Sequence, residues 1–187
     1  GIVALLGAVA GHRPETVRNA ITQVGDGQYK VRLHDAGWAT PDSPIACPTG
    51  DTITYSLDDR FPRALGDPRR PLIGVQARTS LWPALLEKTI AAQDQAWNSE
   101  QHNSWDQAWS AKKPLVDAER RKHGLPPSPD EAPKGYDRLD MGTDHYQRAD
   151  LLAALTGEEA EVRPIPDERQ GEQALLYEFC VRLAARK

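Results

Sequence analysis

Two cysteines, five histidines and several paired acids are the residues in this chain that could do chemistry. Cys180 falls at helical spacing with Leu175, Leu176, Phe179, Leu183 and Ala184, and reads as a small buried member of that apolar stripe. Cys47 stands in a Pro-containing loop with no helix start after it to stabilise a thiolate, so it reads as a plain loop residue or, alternatively, a nucleophile. His34 ends a strand on its polar side, and His12, His102, His123 and His145 fall in turns or polar stretches. No two of them have the His-x-x-x-His spacing of a metal pair. Asp140, Asp144, His145 and Asp150 form the densest metal-capable cluster. The same acids also suit a turn and a helix N-terminus, where negative charge is favourable. Asp58 and Asp59 could share a proton for acid–base work, or could form a turn or an ion pair at a strand end. There is no phosphate loop, dinucleotide fingerprint or Gly-x-Ser-x-Gly, and no complete catalytic constellation.

These residues need elements to position them. A chain of 187 residues suits one domain or two small lobes. The 27 acids against 23 bases give a net charge of −4, without the basic footprint of a nucleic-acid binder. Two cysteines exclude a disulfide scaffold and a Cys-only zinc site. The longest apolar run, 1–11, is shorter than the roughly 20 residues a bilayer span needs. The expectation is a protein that binds no nucleic acid, membrane or cofactor. Unpaired cysteines lean towards a cytoplasmic location, a secreted effector being the alternative.

The opening run, Gly-Ile-Val-Ala-Leu-Leu-Gly-Ala-Val-Ala-Gly, is either a secretory h-region or a core helix. It lacks a basic n-region. Being apolar on all faces, it is expected to be a central buried helix whose first turn lies upstream. Gly11 is expected to cap it, and Pro14 to open a second helix carrying Val17, Ala20, Ile21 and Val24. After the turn Gly25-Asp26-Gly27, residues 28–34 alternate, with Tyr29, Val31 and Leu33 facing inward. Residues 35–50 read as a loop. Residues 51–57 alternate again, with Ile53, Tyr55 and Leu57 inward, which suggests an antiparallel pair. Residues 58–71 read as irregular and 72–77 as a short strand.

Trp82, Leu85, Leu86 and Ile90 form the clearest helical stripe, opened by Pro83. Trp97, Trp105 and Trp109 then stand in a polar stretch, where Pro114 is expected to break or restart the helix. Trp105 and Trp109, four apart, share a face that suits packing or a partner patch. Residues 124–133 hold four prolines and read as an exposed loop. Residues 149–155 form a short helix capped by Gly157.

Six segments in order resemble the catalytic domain of the calpain family of papain-like cysteine peptidases. Ala4 to Ala10 with Arg13-Pro14 and Val17-Arg18-Asn19-Ala20-Ile21 is similar to the family's Cys-bearing helix and the helix after it. Asp26-Gly27-Gln28-Tyr29-Lys30-Val31-Arg32-Leu33 resembles its "DGTYTVRF" strand, and Ile53 to Pro62, with Leu57-Asp58-Asp59-Arg60-Phe61-Pro62, its "VDDxLP" segment. Leu81-Trp82-Pro83-Ala84-Leu85-Leu86-Glu87-Lys88 is close to "LWxxLLEKAYA". Gly135-Tyr136-Asp137-Arg138-Leu139 and Ala153-Ala154-Leu155-Thr156-Gly157, similar to its "LTG" stretch, complete the series.

The resemblance implies an α+β fold: a papain-like, calpain-like helical lobe with a small antiparallel strand element. It makes 1–187 the first lobe of the catalytic domain, with 94–134 a family-atypical insertion, a docked helical arm that could meet a protein partner. It implies peptide-bond hydrolysis by a Cys-His-Asn site lying outside this chain, the Cys immediately before Gly1. This chain then holds no catalytic residue and is inactive in isolation, with a peptide or protein as substrate. Met141 and Gly142 stand where the family's Gly-Gly pair lines the substrate cleft, and Met141 would crowd it. Ser80 replaces an acidic calcium ligand, so no metal is expected there. The alternative is a catalytically dead calpain-like module that binds a peptide or protein partner. With Trp82 beneath the first helix, Trp82→Ala is expected to cost about 3–5 kcal/mol.

Overall fold

The computed structural model describes residues 2–61, 63–64, 67–71, 80–141, 145–163, 173–174 and 176–178. The chain mixes helices with antiparallel strands, an α+β arrangement. The opening apolar run forms α1 (Ile2–His12). Ile2, Leu5, Leu6, Val9 and Ala10, at the i, i+3, i+4 spacing of one helix face, enter the main core. The expectation of burial on all sides fails: Val3, Ala4, Gly7 and Ala8 on the other face are exposed. A helix that is apolar all round reveals no side to its neighbours, and here α2, α3 and a later helix cover one side only. Gly11 also does not cap α1, which continues through it to His12.

Pro14 occupies the first turn of α2 (Pro14–Ala20), as its fixed φ favours. The helix stops earlier than expected. Ile21 is extended (φ −116°, ψ 126°) and begins β1 (Ile21–Gly25), which leaves Val24 exposed. The β-branched residues Ile21, Thr22 and Val24 favour extension, and pairing with the next strand decides the matter. The hairpin turn relies on Gly27 at φ +63°, a left-handed conformation costly for other residues. Then come β2 (Gln28–Ala36), β3 (Ile45–Ala46) and β4 (Pro48–Asp58).

Strands β1, β2 and β4 form an antiparallel sheet in that order, with Val31 opposite Tyr55 and Leu33 opposite Ile53. The alternation expected on both β2 and β4 is realised: Val31, Leu33 and Tyr55 are buried, while Lys30, Arg32 and Thr54 are exposed. Two short strands, β5 (Arg63–Ala64) and β6 (Asp67–Pro71), pair where irregular chain was expected.

Helix α3 (Trp82–Ala92) carries the expected stripe, with Leu85, Leu86 and Ile90 fully buried. Trp82 is half-buried against the cluster that holds Leu6 and Val9, so its truncation creates a smaller defect than full burial would. A short 3-10 turn (Gln93–Ala96) leads to α4 (Ser99–Lys122). Pro114 lies inside α4 without breaking it. Both Pro114 and Ser110, whose carbonyl loses its donor, are exposed, so the loss falls on the solvent side of the helix. Asn98 and Gln101 complete a capping box at its start.

Helices α5 (Gly135–Met141) and α6 (His145–Thr156) follow, then β7 (Ala160–Glu161), which pairs with β3. Gly157, at φ +70°, ends α6 as expected; a Cβ there would meet the His34 ring at 2.6 Å. The core joins Leu6, Val9, Val31, Leu33, Leu86, Ile90 and Leu155, and a seam of Ala39, Ala46, Ala149, Ala153 and Ala160 extends it. No helix among the described residues is long and apolar enough to cross a membrane.

The strand expected over 72–77, Gly142, Asp144 and Cys180 lie outside the described residues, as do the side chains of Asp140, Met141 and His145. Of the apolar stripe expected near the C-terminus, Leu176 is described; it is helical and exposed.

Candidate functional site

The buried face of α4 is Trp105, Ala108, Trp109, Lys112 and Val116, a stripe at helical spacing with a lysine in the middle. It docks on the rest of the chain through aromatic and ionic contacts. Trp38, after β2, meets Trp97 edge-on at 5.0 Å and Trp105 at 5.8 Å between ring centroids. Lys112, fully buried, donates to Asp150 Oδ2 of α6 at 2.7 Å, and its Nζ stands 5.4 Å from the Trp105 ring. The other oxygen of Asp150 accepts from the Ala39 amide at 2.6 Å. Gln101 Nε2 donates to Asp35 Oδ1 at 3.3 Å, tying the start of α4 to β2.

Arg138 of α5 lies under this cluster. Its guanidinium is 5.2 Å from the Trp97 ring and 5.9 Å from Trp105. Its Nη2 donates to the Ile90 carbonyl and, at 3.3 Å, to Gln93 Oε1, while Nε finds no acceptor. Burial pulls this guanidinium below its ordinary value, and the charges of Asp94 and Asp150 oppose the shift. Buried Asp94 accepts from the Gly135 amide, joining the 3-10 turn to α5. Tyr55, also buried without a partner for its hydroxyl, has its pKa pushed up to about 12, chiefly by burial.

Ile2 in the first turn of α1 and Leu139 near the end of α5 line a small cavity of about 30 Å³. His34, Arg138, Gln147 and Asp150 complete its polar side. That volume holds one or two waters and no substrate. Leu139, near the end of α5, and Ile2, at the start of α1, thus border the same cavity, and Met141 is the last residue of α5.

Of the other candidates, Asp58, Asp150, Cys47 and His34 are described. Asp58 is bound by Lys88 (2.6 Å) and Arg60 (2.5 Å), which hold its carboxyl well below the usual range. This is the ion-pair reading, and a proton shared with Asp59 has no support. Asp150 is committed to Lys112, and among the described residues no group of three His, Cys, Asp or Glu could hold a metal. Cys47 is exposed, and its Sγ donates to the Glu159 carboxylate at 3.8 Å, a partner that disfavours a thiolate. His34 packs against Gly157.

Lys112 and Arg138 escaped the sequence reading. Lys112 did carry a signal, since it lies three and seven residues after Trp109 and Trp105, on their face of α4. Arg138 carried none. Compared with family models, with curated proteins and with solved structures, the chain matches none.

Proposed function

We propose that the chain is the Cys-bearing lobe of a calpain-like, papain-like cysteine endopeptidase, lacking its nucleophile and inactive by itself. The observation that carries this reading is the meeting of α1 and α5 at the Ile2–Leu139 cavity. The reading puts the nucleophile just before Gly1 and substrate-lining backbone at Met141-Gly142, and Leu139 near the end of α5 borders the same cavity as Ile2 at the start of α1. The order of elements agrees with the six motifs: the α1 stripe packs with α3 and α6, over an antiparallel sheet.

The chemistry follows from the helix. The N-terminal dipole of α1 favours a thiolate at the position before it, and an imidazolium from a second lobe adds the remaining stabilisation. The thiolate would attack the scissile carbonyl carbon; the C–N bond then breaks and the amine leaves with the proton of the imidazolium, and water attacks the resulting thioester, breaking its C–S bond to release the acid and restore the thiolate–imidazolium pair. Chain 1–187 supplies the helix and one wall of the cleft.

A second reading is a catalytically dead module that binds a peptide or protein. It is favoured by Met141 standing where close substrate approach asks for glycine, and by the Trp-bearing arm. The test is hydrolysis of a fluorogenic peptide by the intact parent polypeptide. Hydrolysis abolished by replacing the residue before Gly1 with alanine supports the peptidase. A parent that binds the peptide without cleaving it supports the second reading.

A further inference from the structure

Helix α5 has seven residues, too few to hold its shape by backbone hydrogen bonds alone. Its place is therefore set by what it touches. At its start the Gly135 amide donates to Asp94 in the 3-10 turn. Near its end Leu139 packs against the main core. Between them Arg138 is buried, donating to the Ile90 carbonyl and to Gln93 Oε1. Both of these acceptors are neutral, and Nε has none. A buried cation so placed leans on its aromatic neighbours, and these are Trp97 at 5.2 Å and Trp105 at 5.9 Å.

Both rings belong to the 94–134 arm. Trp105 is itself fixed by the docking of that arm. Its Nε1 donates to the Pro133 carbonyl at 3.1 Å, and Lys112 Nζ stands 5.4 Å from its ring while pairing with Asp150 of α6 at 2.7 Å. A line of contacts thus runs from Lys112–Asp150 through Trp105 to Arg138. From there it reaches the α1 side, because Arg138 and Leu139 line the same small cavity as Ile2. Met141 follows Arg138 by three residues and ends α5.

We propose that Arg138 is a positioning residue that makes peptide binding conditional on the docking of the 94–134 arm. With the arm docked, two rings cover the guanidinium and α5 is held at its middle. With the arm undocked, the rings leave, the guanidinium turns to water, and Met141 loses the helix that places it. The effect on peptide affinity rests on the peptidase reading, which makes Met141-Gly142 a substrate wall. The tie between arm and α5 rests on the contacts alone.

The test uses the intact parent polypeptide and a fluorogenic peptide, with hydrogen exchange followed by mass spectrometry over 135–141 and, as a reference, 28–34 of β2. Arg138→Met should raise KM about tenfold and change kcat less than about twofold. Exchange over 135–141 should quicken about tenfold, with 28–34 unaltered. Arg138→Lys keeps the charge but not the fork that reaches both acceptors, and should raise KM about threefold. Lys112→Met, which acts on the arm through Asp150, should move KM and exchange over 135–141 in the same direction; these two variants decide the matter if Arg138→Met fails to fold. Val31→Ala, a core change in the sheet, should lower the urea midpoint and leave KM where it was. An unchanged KM in Arg138→Met, a fall confined to kcat, or exchange over 135–141 that rises no more than over 28–34 would each overturn the proposal. A parent that binds the peptide without cleaving it refutes the peptidase reading, and the tenfold change is then read in Kd. A parent that does neither refutes that reading and the effect on affinity together, while unaltered exchange refutes the tie alone.

Discussion

The lobe core and the α4 arm are both buried, yet they are held in different ways. The core packs Leu6, Val9, Leu33, Leu86, Ile90 and Leu155 with no charge among them. The arm seals itself with Trp38, Trp97, Trp105 and Trp109, a buried lysine and a buried arginine. Apolar packing is non-directional and tolerates compensation. A desolvated ion pair is unforgiving of losing one partner, although replacing both together is often neutral. The arm is therefore docked conditionally, in one register fixed by Lys112–Asp150, Gln101–Asp35 and Arg138.

That contrast can be broken at Lys112. Lys112→Met removes the buried ammonium that pairs with Asp150 and should cost about 3 kcal/mol in urea denaturation, whereas the double variant Lys112→Met/Asp150→Leu should recover most of the loss. A single-variant loss below about 1 kcal/mol would mean the pair does not hold the arm. In the core, Leu86→Ala should cost about 2–5 kcal/mol, and no single partner substitution should rescue it. Trp82→Ala, at a half-buried site, should cost about 2 kcal/mol, less than a fully buried aromatic. Asn98→Ala opens the capping box of α4 and should cost about 1 kcal/mol, measured as a shift in the thermal midpoint.

The smallest effect concerns the buried phenols. Tyr55 and Tyr136 both have their pKa pushed up to about 12, chiefly by burial. A phenol in the unfolded chain ionises near 10. The folded state therefore holds these protons more tightly, and the stability they contribute is complete below pH 10 and lost as pH rises through 12. Neither hydroxyl has a partner, so Tyr55→Phe should be neutral or slightly stabilising at pH 7. It should also flatten the decline in urea midpoint between pH 10 and 12.

Much of the core was legible because period and side-chain type carry it. The alternation in β2 and β4 and the Trp82-Leu85-Leu86-Ile90 stripe each fix one inward face. The open side of α1 was not legible, since an all-apolar helix marks no face. Strand β1 was missed because Val17, Ala20, Ile21 and Val24 fit a helix, and pairing with β2 outweighed that fit. Continuity through Pro114 depended on the solvent beside Ser110, which spacing does not reveal. At the site, the Trp pair on one helix face was legible and its cations were not. A buried arginine is specified by the rings and acceptors around it, which come from α3, the 3-10 turn with Trp97 after it, and α4 together.

The most direct test of the account is mass-spectrometric peptide mapping of the intact parent polypeptide across its junction with Gly1. The account predicts a cysteine immediately before Gly1, with a glutamine upstream of it and a histidine and an asparagine beyond Lys187. Any other residue immediately before Gly1 would contradict the peptidase reading, and would leave the helix dipole of α1 with no thiolate to stabilise.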